Sequence, residues 1–150
     1  MPYKTYQPKK SFRSFRDLEV YQKSLECSVL IVKNFRNILL RLKYPFVENM
    51  TNCGMSIPLR IGEASSLRYG DFNRAILIIE QAMADCDKMG IYLDQTKGLY
   101  GEKINGELAE DLSCRYQEIR IKVFRLEKSW KKYHREYNKE SDLKHPPRNF

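Results

Sequence analysis

Residues 108–137 read LAEDLSCRYQEIRIKVFRLEKSWKKYHREY, and the placing of their apolar side chains decides the fold class. Leu108, Leu112, Tyr116 (or Arg115), Ile119, Val123, Leu126, Trp130, Tyr133 and Tyr137 recur at steps of three and four. That spacing lines them along one face of a long helix, because 3.6 residues make a turn. On the opposite side Lys128, Lys132, Arg135 and Lys139 fall within a narrow arc. The segment therefore reads as an apolar stripe turned to protein and a cationic row turned to solvent.

Three further segments upstream repeat the pattern. The first carries Leu18, Tyr21, Leu25, Val29, Val32, Phe35, Leu39 and Leu42, with Ser14 or Asp17 as its cap and Lys43-Tyr44-Pro45 as its end. Val47, Met50, Cys53 (or Gly54), Ile57, Ile61, Ala64 and Leu67 form the second, in which Pro58 should bend the helix or begin its main part. Gly70 then suits a C-terminal cap and Asp71 an N-cap. Phe72, Ile76, Ile79, Ala82 (or Met83), Cys86 and Met89 make the third, closing at Gly90, after which Gly98, Gly101 and Gly106 weaken the helix signal. Four amphipathic helices with short connections and no strand alternation imply an all-α fold, an antiparallel up-down-up-down four-helix bundle. Residues 1–13 read as a flexible basic and aromatic arm, 14–138 as the bundle, and 139–150 as a disordered tail.

Charge divides the chain into thirds. Residues 1–45 hold 10 Lys and Arg against 3 acids, 46–114 hold 6 against 11, and 115–150 hold 11 against 5. In the expected topology the fourth helix returns beside the first, so the two basic segments pool into one surface that attracts polyanions. The candidate phosphate contacts are Lys23, Lys33, Arg36, Arg41, Lys128, Lys131, Lys132, Arg135 and Lys139. The arm, Tyr3 to Arg13, interleaves rings with cations, a composition suited to stacking on exposed bases.

Several classes of chemistry are disfavoured. Apolar runs such as Val29 to Val32 and Ala75 to Ile79 are far shorter than the roughly 20 residues of a membrane span. The opening residues lack the apolar core of a secretory signal, which points to the cytoplasm. Cys27, Cys53, Cys86 and Cys114 contain no C-x-x-C pair, and Cys27 lies off the main stripe of its helix, so no metal or other cofactor is expected. The only histidines, His134 and His145, sit near the C-terminus and form no Glu-x-x-His pair of the di-iron kind. Glu63 has no second acid or histidine beside it in sequence and reads as an ion-pair partner, to an arginine such as Arg60 or Arg68. Enzymatic activity is not expected.

Two stretches carry a family likeness. Phe15-Arg16-Asp17-Leu18-Glu19-Val20-Tyr21-Gln22-Lys23 resembles the F-x-D-L-x-V-W/Y-Q-K opening of the small bacterial four-helix bundle proteins first named after intervening sequences in 23S rRNA genes. Ser56-Ile57-Pro58-Leu59-Arg60-Ile61-Gly62-Glu63-Ala64 is similar to that family's S-I-P-x-x-I-x-E-G/A signature, and Asp71-Phe72 is a weaker third match. The likeness covers about residues 15 to 128. It extends to the accessory variability determinant of diversity-generating retroelements, and implies a homopentamer without catalytic residues that binds nucleic acid, RNA or DNA, and a reverse transcriptase. Leu59, Arg60, Ile76 to Ile79 and Met83 depart from the family's usual small, polar or acidic choices. The alternative is a protein-protein scaffold of the same bundle type with no nucleic-acid role. Leu30, Ile31, Leu40, Leu77 and Ile78 are the apolar residues expected at subunit contacts.

Overall fold

Four helices account for most of the chain in the computed structural model, which describes residues 14–144. They are α1 (residues 19–41), α2 (Val47–Leu67), α3 (Phe72–Tyr100) and α4 (Gly106–Lys144), with no strand among the described residues. The arm, residues 1–13, and the last six residues of the expected tail lie outside the described residues.

Polar side chains start the helices where the backbone N–H groups lack partners. Asp71 accepts from the Arg74 N–H at 3.3 Å, and Asn105 accepts from the Leu108 N–H at 3.1 Å. Ser14 caps only a short 3-10 turn, Phe15–Asp17, and α1 begins after Leu18 with no side-chain cap. Gly101, at φ +51°, closes α3 in a backbone conformation that other residues rarely adopt.

Each helix packs on the next, and α4 returns to α1. The shared core holds Phe35 and Leu39 of α1, Ile57 and Ile61 of α2, Ile79, Met89 and Leu93 of α3, and Leu112, Tyr116, Ile119 and Val123 of α4. Two ion pairs tie the first helix to the last: Lys122 to Glu19 at 2.7 Å and Arg115 to Glu26 at 3.2 Å. Moving seven residues forward along α1 thus moves seven residues back along α4, so the two run in opposite directions.

The N-terminal half of α1 departs from the expected register. Val20, Ser24, Cys27, Ser28 and Ile31 are buried, while Leu25 and Val29 are 42% and 41% exposed. The expected stripe and the observed one agree at Phe35 and Leu39 and differ by about one residue before them. The cause lies between: Val32–Arg36 forms a π turn, which takes up one residue more than an α turn. The amide of Asn34 donates to the Leu30 carbonyl at 3.0 Å within this widened turn. Cys27, expected off the stripe, is therefore a core residue.

Three other boundaries differ. Pro58 is buried within α2, which runs unbroken from Val47 and does not begin there. Helix α3 passes through Gly90 and Gly98 to Tyr100, because burial of Leu93 and Thr96 outweighs the roughly 1 kcal/mol helix penalty of a glycine. Helix α4 continues to Lys144, six residues into the stretch read as tail. No helix among the described residues is long and apolar enough to cross a membrane.

Candidate nucleic-acid interface

The directions of α1 and α4 decide where the cations gather. Arg115 stands level with Glu26, so Lys33 lies near the height of residue 108, and Lys128 is about 20 residues further along α4. At 1.5 Å per residue that is roughly 30 Å. The helices are neighbours, yet Lys33, Arg36 and Arg41 sit near one end of the molecule and Lys128, Lys131, Lys132, Arg135 and Lys139 near the other. The single pooled surface expected from the charge thirds does not form from these residues, since side-by-side packing aligns helices and not their charged halves.

Ion pairing sorts the candidates further. Lys23 pairs with Glu19 at 2.9 Å, Arg36 with Glu48 at 2.8 Å and Lys131 with Glu127 at 3.0 Å. Glu19 is held from two sides, by Lys122 first and Lys23 second, and its carboxyl is pulled down to about 2. Lys128, Lys132 and Arg135 have no carboxylate partner among the described residues, nor have Lys33 and Arg41. The Lys128 ammonium lies 4.9 Å from the centre of the Phe124 ring, resting its stem on an exposed aromatic.

These α4 cations line a groove of about 630 Å³ together with Phe72, Phe124, Glu127 and His134. Glu127 is the one buried acid there, and a hydrogen bond to it raises the carboxyl of neighbouring Glu80 above its ordinary range. That carboxyl pair, with Lys131 against it, removes Lys131 from the free positive set.

An aromatic pocket of about 340 Å³ adjoins the groove, sharing Phe72 and His134 with it. The Phe72 and His134 rings stack 3.8 Å apart and 4° from parallel. The Arg68 guanidinium lies 4.5 Å from the centre of the Tyr69 ring, 5.1 Å from Trp130 and 5.8 Å from Tyr133. Trp130 is buried, but Tyr133 and Tyr137 are 51% and 61% exposed, so the end of the α4 stripe faces this pocket and not the core.

Other expectations fall differently. Glu63 is an ion-pair partner, as expected, but of Arg74 at 3.7 Å; Arg60 instead binds Asp85 at 2.7 Å. Among the residues read as subunit contacts, Leu40 and Leu77 are exposed, Leu30 is half-buried, and Ile31 and Ile78 belong to the core. Burial pushes the thiols of Cys27, Cys53 and Cys86 up to about 11, 12 and 12. No cluster of three or more His, Cys, Asp or Glu side chains suited to a metal occurs among the described residues.

No family model, curated protein or solved structure matches this chain. The site thus rests on its own geometry. Arg68 and Tyr69 were not among the candidates read from sequence, because the α2–α3 turn brings them to α4 from about 60 residues away. The one signal that pointed there was the run of rings at Trp130, Tyr133 and Tyr137, too rich in hydroxyls and too near the helix end for a sealed core.

Proposed function

We propose that this chain is a non-enzymatic up-down-up-down bundle that binds nucleic acid through phosphate contacts on the second half of α4. The observation that carries the reading is the gathering of unpaired cations in one groove. Lys128, Lys132 and Arg135 line one groove with no carboxylate partner among the described residues, unlike Lys97, which pairs with Glu110 at 2.6 Å, and Arg120, which pairs with Asp87 at 3.0 Å. A row of unpaired charges at steps of four and three follows a phosphate backbone and releases its counterions. The set of contacts is narrower than the charge thirds suggested: Lys128, Lys132, Arg135 and Lys139 form the primary row, and Lys33 and Arg41 belong to a separate, distant patch.

The family likeness adds the rest of the proposal, an accessory role to a larger nucleic-acid enzyme such as a reverse transcriptase, exercised as a homopentamer. Charge reversal of Lys128, Lys132 and Arg135 to Glu tests the phosphate reading. Affinity for mixed RNA and DNA should fall about evenly across sequences, and the slope of log affinity against log salt should flatten by about 2 to 3 units. Equal affinity and slope in parent and variant would sink it.

A second reading has its own observation. Phe15, Tyr21, Leu25, Met55, Pro58 and Leu59 line an apolar groove of about 500 Å³ between α1 and α2, and Leu59 is 73% exposed. Such a groove favours a protein partner, as in the scaffold alternative. A gel shift that shows nothing at moderate salt, with self-association lost in Leu25→Asp/Leu59→Asp, would select this reading over the first.

A further inference from the structure

We infer that the aromatic pocket at the α2–α3 turn holds an unstacked base, so that the ligand is a single strand and not a duplex. The inference rests on the phosphate reading above and adds the class of nucleic acid to it.

Exposure and geometry come first. Tyr69, Tyr133 and Tyr137 are 75%, 51% and 61% exposed, three large rings within one patch at the end of the molecule. Tyr69 and Tyr133 meet edge to face at 6.3 Å, while Phe72 and His134 are already stacked. The pocket thus presents planar surfaces without a core to bury them against, and its volume suits a small flat ligand.

Charge then selects among flat ligands. Arg68 sits against three ring faces and has no carboxylate partner among the described residues, so a cage that elsewhere would take a ligand cation already contains the chain's own. A second cation is repelled. A neutral ring bearing hydrogen-bond acceptors suits the donors of that guanidinium, and an attached phosphate suits its charge.

Continuity fixes the occupant. Phe72 and His134 wall both the pocket and the cationic groove of Lys128, Lys132 and Arg135. A strand whose phosphates follow those cations brings its next base to the pocket mouth. In a duplex that base is paired and stacked inside the helix and cannot enter. Stacking on aromatic side chains tolerates every base, so the preference is for strandedness and not for sequence.

Trp130 lines the same pocket and is the chain's single tryptophan, which makes it an internal probe. The full chain is titrated with a labelled 20-nucleotide oligo(dT), its RNA counterpart and a 20-base-pair duplex, reading anisotropy and Trp130 emission. The single strands should bind more tightly than the duplex and change the Trp130 emission. Tyr69→Ala/Tyr133→Ala should weaken single-strand binding by roughly tenfold or more while leaving duplex affinity and the salt slope unchanged. Tyr69→Phe/Tyr133→Phe should restore it. Unchanged single-strand affinity in the alanine pair, with the charge-reversal variant still impaired, overturns the base pocket and leaves the phosphate reading standing. Absence of binding to all three probes overturns both. Loss of self-association in the alanine pair with nucleic-acid affinity intact also overturns it, in favour of a second copy of the chain.

Discussion

Deleting Asn34 should leave the protein folded, although removing one residue from a helix ordinarily rotates everything on one side of the cut by about 100°. The exemption comes from the π turn. With Asn34 gone, Val20, Ser24, Cys27 and Ile31 would be followed by the present Phe35 and Leu39 at steps of three and four, an unbroken α register with the same buried set. The Asn34 side-chain bond to the Leu30 carbonyl is lost together with the widened turn that called for it. The control is deletion of Lys88, exposed in α3 between Cys86 and Met89. There no spare residue exists, and the cut turns Met89 and Leu93, both 0% exposed, away from the core. At about 1.5 to 3 kcal/mol per large apolar side chain, those two alone forfeit about 3 to 6 kcal/mol, a large part of a typical stability of about 5 to 15. Thermal unfolding by circular dichroism, with thiol labelling of Cys27 under native conditions, reads both variants. The Asn34 deletion should melt within about 5 °C of the parent with Cys27 protected, and the Lys88 deletion should be largely unfolded. An Asn34 deletion that melts more than about 10 °C lower, or that exposes Cys27, would refute the register argument.

Two further outcomes can be read without any ligand. The Tyr116 hydroxyl is buried and has no hydrogen-bond partner among the described residues, so Tyr116→Phe should raise stability by about 1 kcal/mol in urea unfolding; a loss of that size would mean the hydroxyl has a partner. Ellman's reagent at pH 8 should label exposed Cys114 at once and Cys27, Cys53 and Cys86 only on unfolding. Because burial raises those three thiols in the folded state, their contribution to stability is complete below about 9 and is lost as pH climbs toward 12. Cys86→Ala should remove part of that alkaline loss, and an unchanged pH profile would contradict it.

The sequence made the number and type of elements readable because all four segments alternate apolar steps of three and four, and tertiary packing agreed with that local pattern. Register in α1 was hidden for a physical reason. A π turn leaves no compositional mark, and two serines, Ser24 and Ser28, occupy core positions where a stripe would be sought among large apolar residues. Gly90 misled for the opposite cause: a local penalty of roughly 1 kcal/mol is visible in sequence, whereas the burial of Leu93 that offsets it is not. At the site, the cationic row on α4 was legible from spacing alone. Its isolation from Lys33 and Arg41 was not, because the distance between them follows from helix direction and length together. Arg68 and Tyr69 were out of reach of any pattern on one helix, since a turn between two others delivers them.

Past His134, the described side chains of α4 from Arg135 to Ser141, and again at Leu143 and Lys144, are exposed. Tyr137 and Asn138 still line the aromatic pocket with Arg68 and Phe72, but the last six residues beyond them, roughly 9 Å, line neither the pocket nor the groove, and a solitary stretch so short is marginal in water. Its winding and its cargo are therefore thermodynamically linked: whatever clasps Lys139 also tightens the spring that carries it. Helicity should climb as a polyanion docks, and warming should loosen the grip before it melts the body of the protein.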